Sequence, residues 1–314
     1  MSAPDITAIV CTHNRASYLP GCLDSLLRQS LPRDRYEILV VDNASTDSTA
    51  DCCRRYEACG VRYCHDPVTG LSHARNTGWK AARGWIIAYL DDDAVASESW
   101  LESAWQAFRS LTPPLDGLGG PVLLLWDVPE PAWMNAPLRA PLGFVDWGTS
   151  PRRLLPSEWI IGANCFYSRE RLQQLGGFDE RLGRKGACLL SGEETLMQKR
   201  IEQAGGYLYY EPRAAVQHHV TPDRAHPAWF YHRYFWGGIS DAILRRTAPG
   251  ASMAMASAPV AGSAETSPCR RLIGNTLAAA GLGGRVRRIQ ARIYMAYVFG
   301  WVLAKTGLRP TGTP

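Results

Sequence analysis

Residues 85–95 read WIIAYLDDDAV, an apolar run that ends in Asp91, Asp92 and Asp93. A short aliphatic and aromatic run behind Gly84 suits a buried strand. Three adjacent carboxylates repel one another when all are ionised, so a positive partner is called for. In open α/β sheets, ligands bind beyond the carboxyl ends of the strands. A hard divalent cation, Mg2+ or Mn2+, prefers oxygen ligands and would offset the repulsion. A bare acidic turn is the plain alternative. The apolar strand before it, and Asp42 and Asp47 in the same half of the chain, favour a ligand.

The rhythm around this stretch supports the same placement. ITAIVCTH (6–13), YEILVVDNAS (36–45) and VRYCHD (61–66) read as strands. Helices are expected over 17–30, 45–60 and 71–84, the first with Leu19, Leu23, Leu26 and Leu27 near a 3.6-residue period. Strand-helix alternation of this kind predicts a mostly parallel sheet with helices on both faces. The strands end in polar residues: Thr12 to Arg15, Asp42 to Asp47, and Asp91 to Asp93.

After Asp93 the pattern loosens. A helix is expected over 97–110, strands at 117–126 and 159–168, and helices at 169–175 and 192–204. Residues 127–158, rich in Pro and Trp, read as a long irregular loop. Short strands follow in GYLYYEP and AAVQHHV. An aromatic, basic helix is expected over 226–247, then an Ala/Ser/Pro/Gly linker over 248–268.

Composition narrows the classes. The chain has 314 residues and a net charge of +5. Residues 269–314 hold eight Lys/Arg and no acid, which leaves 26 basic against 29 acidic residues elsewhere. A mildly acidic core argues against nucleic acid as the partner; the basic tail suits anionic lipid or an acidic protein. Nine cysteines without zinc-type spacing point to thiols in the cytoplasm. The first residues carry no signal-peptide pattern. The tail at 285–304 has too short an apolar stretch to span a bilayer. Two readings of it stand: a helix packed on the protein, or an interfacial helix peripheral to the inner membrane face.

Several ordered motifs together resemble family 2 glycosyltransferases of the GT-A fold. They are TAIVCTHNRASYLPGCLDSLL, EILVVDNASTDST, GLSHARNTG and YLDDDAV, then GANCFYSRERLQQLGGFDERLGR, LLSGEETLMQKRIEQAGG and EPRAAVQHHV. The resemblance covers about residues 5–220. It implies a Rossmann-like, mixed and mostly parallel sheet flanked by helices, with a helical C-terminal extension. Residues 1–97 would be the nucleotide-sugar-binding half, and 98–220 the acceptor-binding and catalytic half of one domain. Residues 221–247 would be a helical segment, 248–268 a flexible linker and 269–314 a basic helical tail.

The resemblance also implies roles. Thr12, Asn14 and Arg15 would line the nucleotide pocket, Asp42 would meet the base, and Arg75 would approach the nucleotide or diphosphate. Asp93 would ligate the cation. Asp91 would meet ribose, or the cation through water, and Asp92 joins the donor site without a stated role. The family usually has Glu-Asp where this chain has Glu193-Glu194, so the general base falls on Glu194. A histidine after the last short strand would complete the cation site. Alternation with Val216 selects His218 and keeps His219 in reserve. Asp179 would orient the helix that carries the base. Trp133, Trp147 and Trp159 receive no acceptor role.

The implied reaction transfers a sugar from a nucleoside diphosphate, UDP first, to a saccharide or other hydroxyl with inversion. A sugar nucleotidyltransferase would want a Gly-rich basic phosphate loop that CTHNRASYLPG lacks. A processive synthase would carry Gln-x-x-Arg-Trp and several membrane spans. The remaining alternative is an inactive sugar-binding module of the same fold.

Overall fold

The computed structural model describes residues 3–252, 275, 279 and 284–306. Most of the expected linker and the last eight residues lie outside the described residues.

The strands and helices follow in chain order: β1 (Ile6–Thr12), α1 (Leu19–Leu27), β2 (Tyr36–Asn43), α2 (Thr49–Glu57), β3 (Val61–Asp66), α3 (Leu71–Ala81), β4 (Ile86–Asp91), β5 (Ala94–Ala96) and α4 (Trp100–Ser110). Then come β6 (Gly117–Gly119), β7 (Val122–Trp126), α5 (Ala136–Arg139), β8 (Arg152–Arg153), β9 (Asn164–Ser168), α6 (Arg169–Leu175) and α7 (Glu193–Gln203). The chain goes on through β10 (Leu208–Tyr210), β11 (Val216–Val220) and α8 (Pro227–Thr247) to α9 (Arg285–Thr306).

The main sheet runs β3-β2-β1-β4-β9-β6-β10-β8. The first four strands are parallel, as the alternation predicts, whereas β9 pairs antiparallel with both β4 and β6. Alternate residues of the parallel strands face opposite layers. Ile6, Ala8, Val10, Ile86, Ala88 and Leu90 join the core with Leu19, Leu23 and Leu26 of α1 and with Trp100 and Leu101 of α4. Ile9, Leu39, Val41, Ile87 and Tyr89 join the other core with Ala74 of α3, Leu172 of α6 and Met197 of α7. Burial on both faces is why these strands read as continuous apolar runs.

Several elements differ from expectation. The strand expected over 117–126 is two strands in different sheets. The break falls at Gly120 and Pro121: a side chain at Gly120 would overlap the Ala214 carbonyl, and proline cannot donate to a ladder. The strand expected over 159–168 begins only at Asn164, because residues 161–164 turn back in a bridge between Ile161 and Asn164. Strand β5 has no counterpart in the sequence reading. It pairs antiparallel with β11 in a small sheet of order β5-β11-β7.

Two compact units emerge. One comprises residues up to Leu125, Gly143–Gly183 and Glu193–His219. The other comprises Trp126–Leu142, Arg184–Gly192 and the described residues from Val220 onward. Segments 126–142 and 184–192, expected within the acceptor half, thus group with the C-terminal helices. In that second unit α8 and α9 pack backbone to backbone. A methyl group at Gly238 would overlap the Tyr297 carbonyl, and one at Gly300 the Phe235 carbonyl. Asp241, fully buried, accepts from Arg245 Nε at 2.7 Å and from the Tyr297 hydroxyl at 3.0 Å.

Candidate active site

Strand register gathers the polar ends. Thr12 of β1 lies beside Asp42 of β2, and Cys11 lies beside Asp91 of β4. The carboxyl edge of the parallel strands therefore presents Thr12, Asp42 and the aspartate triplet together.

Asp42 is almost fully buried, and its two oxygens are held. Oδ1 accepts from the Ser45 amide at 2.9 Å and Oδ2 from the Tyr63 hydroxyl at 2.7 Å. Tyr63 went unnoticed in the sequence. Its signal was the alternation of VRYCHD, which puts Tyr63 two residues before His65, the register partner of Asp42.

The loop after β1 is fixed by Asn14. Its side-chain oxygen accepts from the amides of Thr46 at 2.7 Å and Asp47 at 3.3 Å, and its own amide donates to Ser45 Oγ at 2.9 Å. Asn14 has φ 54° and Ala44 has φ 59°. Asn tolerates the left-handed region; Ala pays for it, here in a tight turn where its amide donates to the Asp42 carbonyl. The Asn14 side chain thus ties two strand-end loops together. Arg15 extends over the Tyr18 ring and brings Nη2 to 3.9 Å from Asp93 Oδ2.

The three aspartates separate. Asp91 is partly exposed, whereas Asp92 and Asp93 are buried. Burial and then the charge of Asp93 push Asp92 up to about 7, while Arg15 and Thr12 pull the other way. His218, buried on β11, reaches them because it pairs with Ala94 of β5, the residue just after the triplet. The neighbouring His219 amide donates to the Asp93 carbonyl at 2.9 Å. His218 Nε2 stands 3.0 Å from Asp93 Oδ1 and 3.9 Å from Asp91 Oδ2. Donor atoms of Asp91, Asp93 and His218 all lie within 4.8 Å of one another. The reserve choice, His219, instead packs edge-on against the Tyr18 ring.

Two carboxylates and one imidazole fit a divalent cation. The oxygen-rich set suits Mg2+ and Mn2+, and the nitrogen favours Mn2+ of the two.

Arg75 is tightly enclosed. It is 2% exposed. Its guanidinium donates to Glu193 Oε1 at 2.6 Å and lies 3.5 Å from Asp91 Oδ1. The rings of Tyr89 and Phe178 flank it, and a methyl group at Gly162 would strike it. Burial works against its charge, but Glu193 and then Asp91 outweigh that and hold it protonated. Arg75 is thus enclosed between the aspartate triplet and the start of α7.

That enclosure divides the two glutamates. Glu193 is buried and neutralised by Arg75, whereas Glu194 is half-buried. Acids at a helix N-terminus also gain from the helix dipole. Asp179 ties the preceding loop to α7 through Arg200 at 3.3 Å and pairs with Arg181 at 2.7 Å. Trp147 and Trp159 pack edge to face 4.5 Å apart, and Trp147 Nε1 donates to the Trp159 carbonyl. Trp133 packs on Phe230 in the second unit.

Comparison with known proteins bears on the family and the fold. Residues 7–113 match the family model described as Glycosyl transferase family 2. The chain is 26% identical over 251 residues to a glucosyl-dolichyl phosphate glucuronosyltransferase of Haloferax volcanii, covering 79% of each chain. It is 29% identical over 236 residues to the succinoglycan biosynthesis protein ExoM of Rhizobium meliloti, covering 73% of this chain and 71% of that one. Among solved structures, a mannosyltransferase of Pyrobaculum calidifontis in complex with GDP-Man and Mn2+ aligns with a TM-score of 0.59 at 24% identity. The alignment covers 95% of this chain and 87% of that chain. At this identity the likeness establishes the GT-A-type fold.

Proposed function

From a chain that belongs, through residues 7–113, to glycosyltransferase family 2, we propose a metal-assisted, inverting transfer from a nucleoside diphosphate sugar to an acceptor hydroxyl. One observation carries this reading. Arg75 joins Asp91, a member of the Asp91, Asp93 and His218 group, to Glu193, the neighbour of Glu194. A donor-holding group and a candidate base are therefore held in one frame.

In this reading Asp42, with Tyr63 beside it, receives the base, and Thr12 and the loop fixed by Asn14 border the nucleoside. Arg15 reaches toward the diphosphate. Asp91, Asp93 and His218 hold the cation, which when bound neutralises charge on the leaving diphosphate. Glu194 takes the proton of the acceptor hydroxyl. The acceptor oxygen bonds to the anomeric carbon as its bond to the diphosphate oxygen breaks on the opposite face, so configuration inverts. Glu193, already neutralised by Arg75, is not available as the base.

The acceptor is proposed to be a saccharide hydroxyl on a glycoconjugate, in line with the relatives' names. UDP is the first donor nucleotide to test and GDP the next, since the Pyrobaculum mannosyltransferase was solved with GDP-Man. The eight described cysteines are free thiols, which suits the cytoplasm.

A donor panel of UDP-, GDP- and dTDP-sugars with Mn2+ or Mg2+ tests the reading. Asp93→Ala should abolish metal-dependent donor turnover; full wild-type activity in EDTA would sink the cation. Glu194→Gln should lower transfer by about 10²–10⁴-fold while nucleotide binding by calorimetry persists. Transfer at the wild-type rate would place the base elsewhere. The anomeric configuration of the product, read by NMR, decides inversion.

A further inference from the structure

Helix α9 begins with a run of exposed arginines and carries two exposed apolar side chains near its other end. Its N-terminal turns contain Arg285, Arg287, Arg288 and Arg292, all exposed, and no acidic residue occurs anywhere in its 22 residues. Toward its other end Phe299 is 62% exposed and Val302 45%. Positions 288, 292, 295, 299 and 302 recur at steps of four and three, so they form one stripe along the helix. The opposite side is occupied: Gln290 and Ile293 are buried, and Tyr297 and Gly300 meet α8.

A large ring and a branched aliphatic in solvent, in line with arginines, form the pattern of a helix lying in a membrane interface. No described helix is long and apolar enough to cross a bilayer. The partner has to supply negative charge for the arginine end and an apolar layer for the Phe299 end. Nucleic acid supplies the first without the second.

We propose that the outer face of α9 docks on an anionic lipid surface, with Phe299 and Val302 entering the acyl boundary and Arg285 and Arg288 facing lipid phosphates. The Arg292 guanidinium also donates to the Ala279 carbonyl at 3.4 Å, so it takes a smaller share. The proposal rests on the helix alone and stands whichever sugar is transferred.

Co-sedimentation of the full chain with phosphatidylcholine vesicles, with and without phosphatidylglycerol, is the test. Binding is expected only to the anionic vesicles and should weaken as salt rises. Each arginine near such a surface contributes about 1 kcal/mol, or roughly fivefold in affinity. Arg285→Glu/Arg288→Glu should therefore weaken binding at least about twentyfold. Phe299→Ser/Val302→Ser should weaken it at unchanged charge. Nucleotide binding, measured on the same samples, should stay at the wild-type level and shows that the variants fold. The proposal is overturned if the wild type ignores anionic vesicles, or if both variants bind them as tightly as it does. It is equally overturned if light scattering shows a wild-type dimer that Phe299→Ser/Val302→Ser dissolves with no change in lipid binding, since the face would then join two copies.

Discussion

Replacing Arg75 by Met keeps most of the side-chain stem and removes the charge that Glu193 needs. Glu193 Oε1 lies 2.6 Å from the guanidinium, and both residues are almost fully buried. Removing one partner of a buried pair costs about 3–5 kcal/mol, because the other charge stays without compensation. A direct electrostatic figure agrees: unit charges about 4 Å apart at an effective dielectric near 20 interact by about 4 kcal/mol. At about 2–4 °C per kcal/mol, Arg75→Met should lower Tm by roughly 8–16 °C. Glu193→Gln should cost less, since the buried Arg75 charge keeps Asp91 at 3.5 Å and can still donate to the amide oxygen. The double variant Arg75→Met/Glu193→Gln should recover about 2 kcal/mol or more of the summed single losses. Urea unfolding of the four proteins measures that coupling. The functional half is separate. If Arg75 positions α7 rather than binding donor, Arg75→Lys should lower kcat while the nucleotide Kd holds. Additive losses within about 0.5 kcal/mol, or a large rise in nucleotide Kd with kcat intact, would refute the frame described for Arg75.

Two further outcomes follow from the same geometry. The carboxyl of Asp92 is raised to about 7 by burial and Asp93, against about 4 in an unfolded chain. Its contribution to stability is thus full below about pH 4 and is lost as pH rises through about 7. The Tm of metal-free wild type relative to Asp92→Asn should fall between about pH 4 and 7, and a difference flat with pH would contradict the burial of this charge. In the second unit, Gly300→Ala sets a methyl group against the Phe235 carbonyl. Overpacking of this kind costs about 1–3 kcal/mol, and an unchanged melting curve would mean that α8 and α9 do not pack so closely.

The parts legible in the sequence are those written locally. The four parallel strands show as apolar runs because both their faces are covered, and the acids at their ends stand beside those runs. His218 was reachable by two-residue alternation. What stayed hidden depends on partners far along the chain. Nothing near Arg75 announces Glu193, which lies 118 residues away, so their buried ion pair is not legible locally. Strand β5 is three residues long and exists only because β11 returns to pair with it. The split of 117–126 into two strands follows from the closeness of the Ala214 carbonyl to Gly120, a fact of tertiary packing.

The pairing of β11 with β5 also sets an order on biogenesis. A ribosome that has released the first 113 residues has delivered two of the three gathered side chains, Asp91 at the end of β4 and Asp93 in the turn after it, while the outer edge of β4 awaits β9. The third, His218, is synthesised after the whole antiparallel side of the sheet. Nascent chains that stop short of β11 hold a dense acidic turn and no imidazole to complete it. Under the proposed function, competence for a cation would therefore be a late event in the life of each chain, reached only once the long return from β4 to β11 has been made.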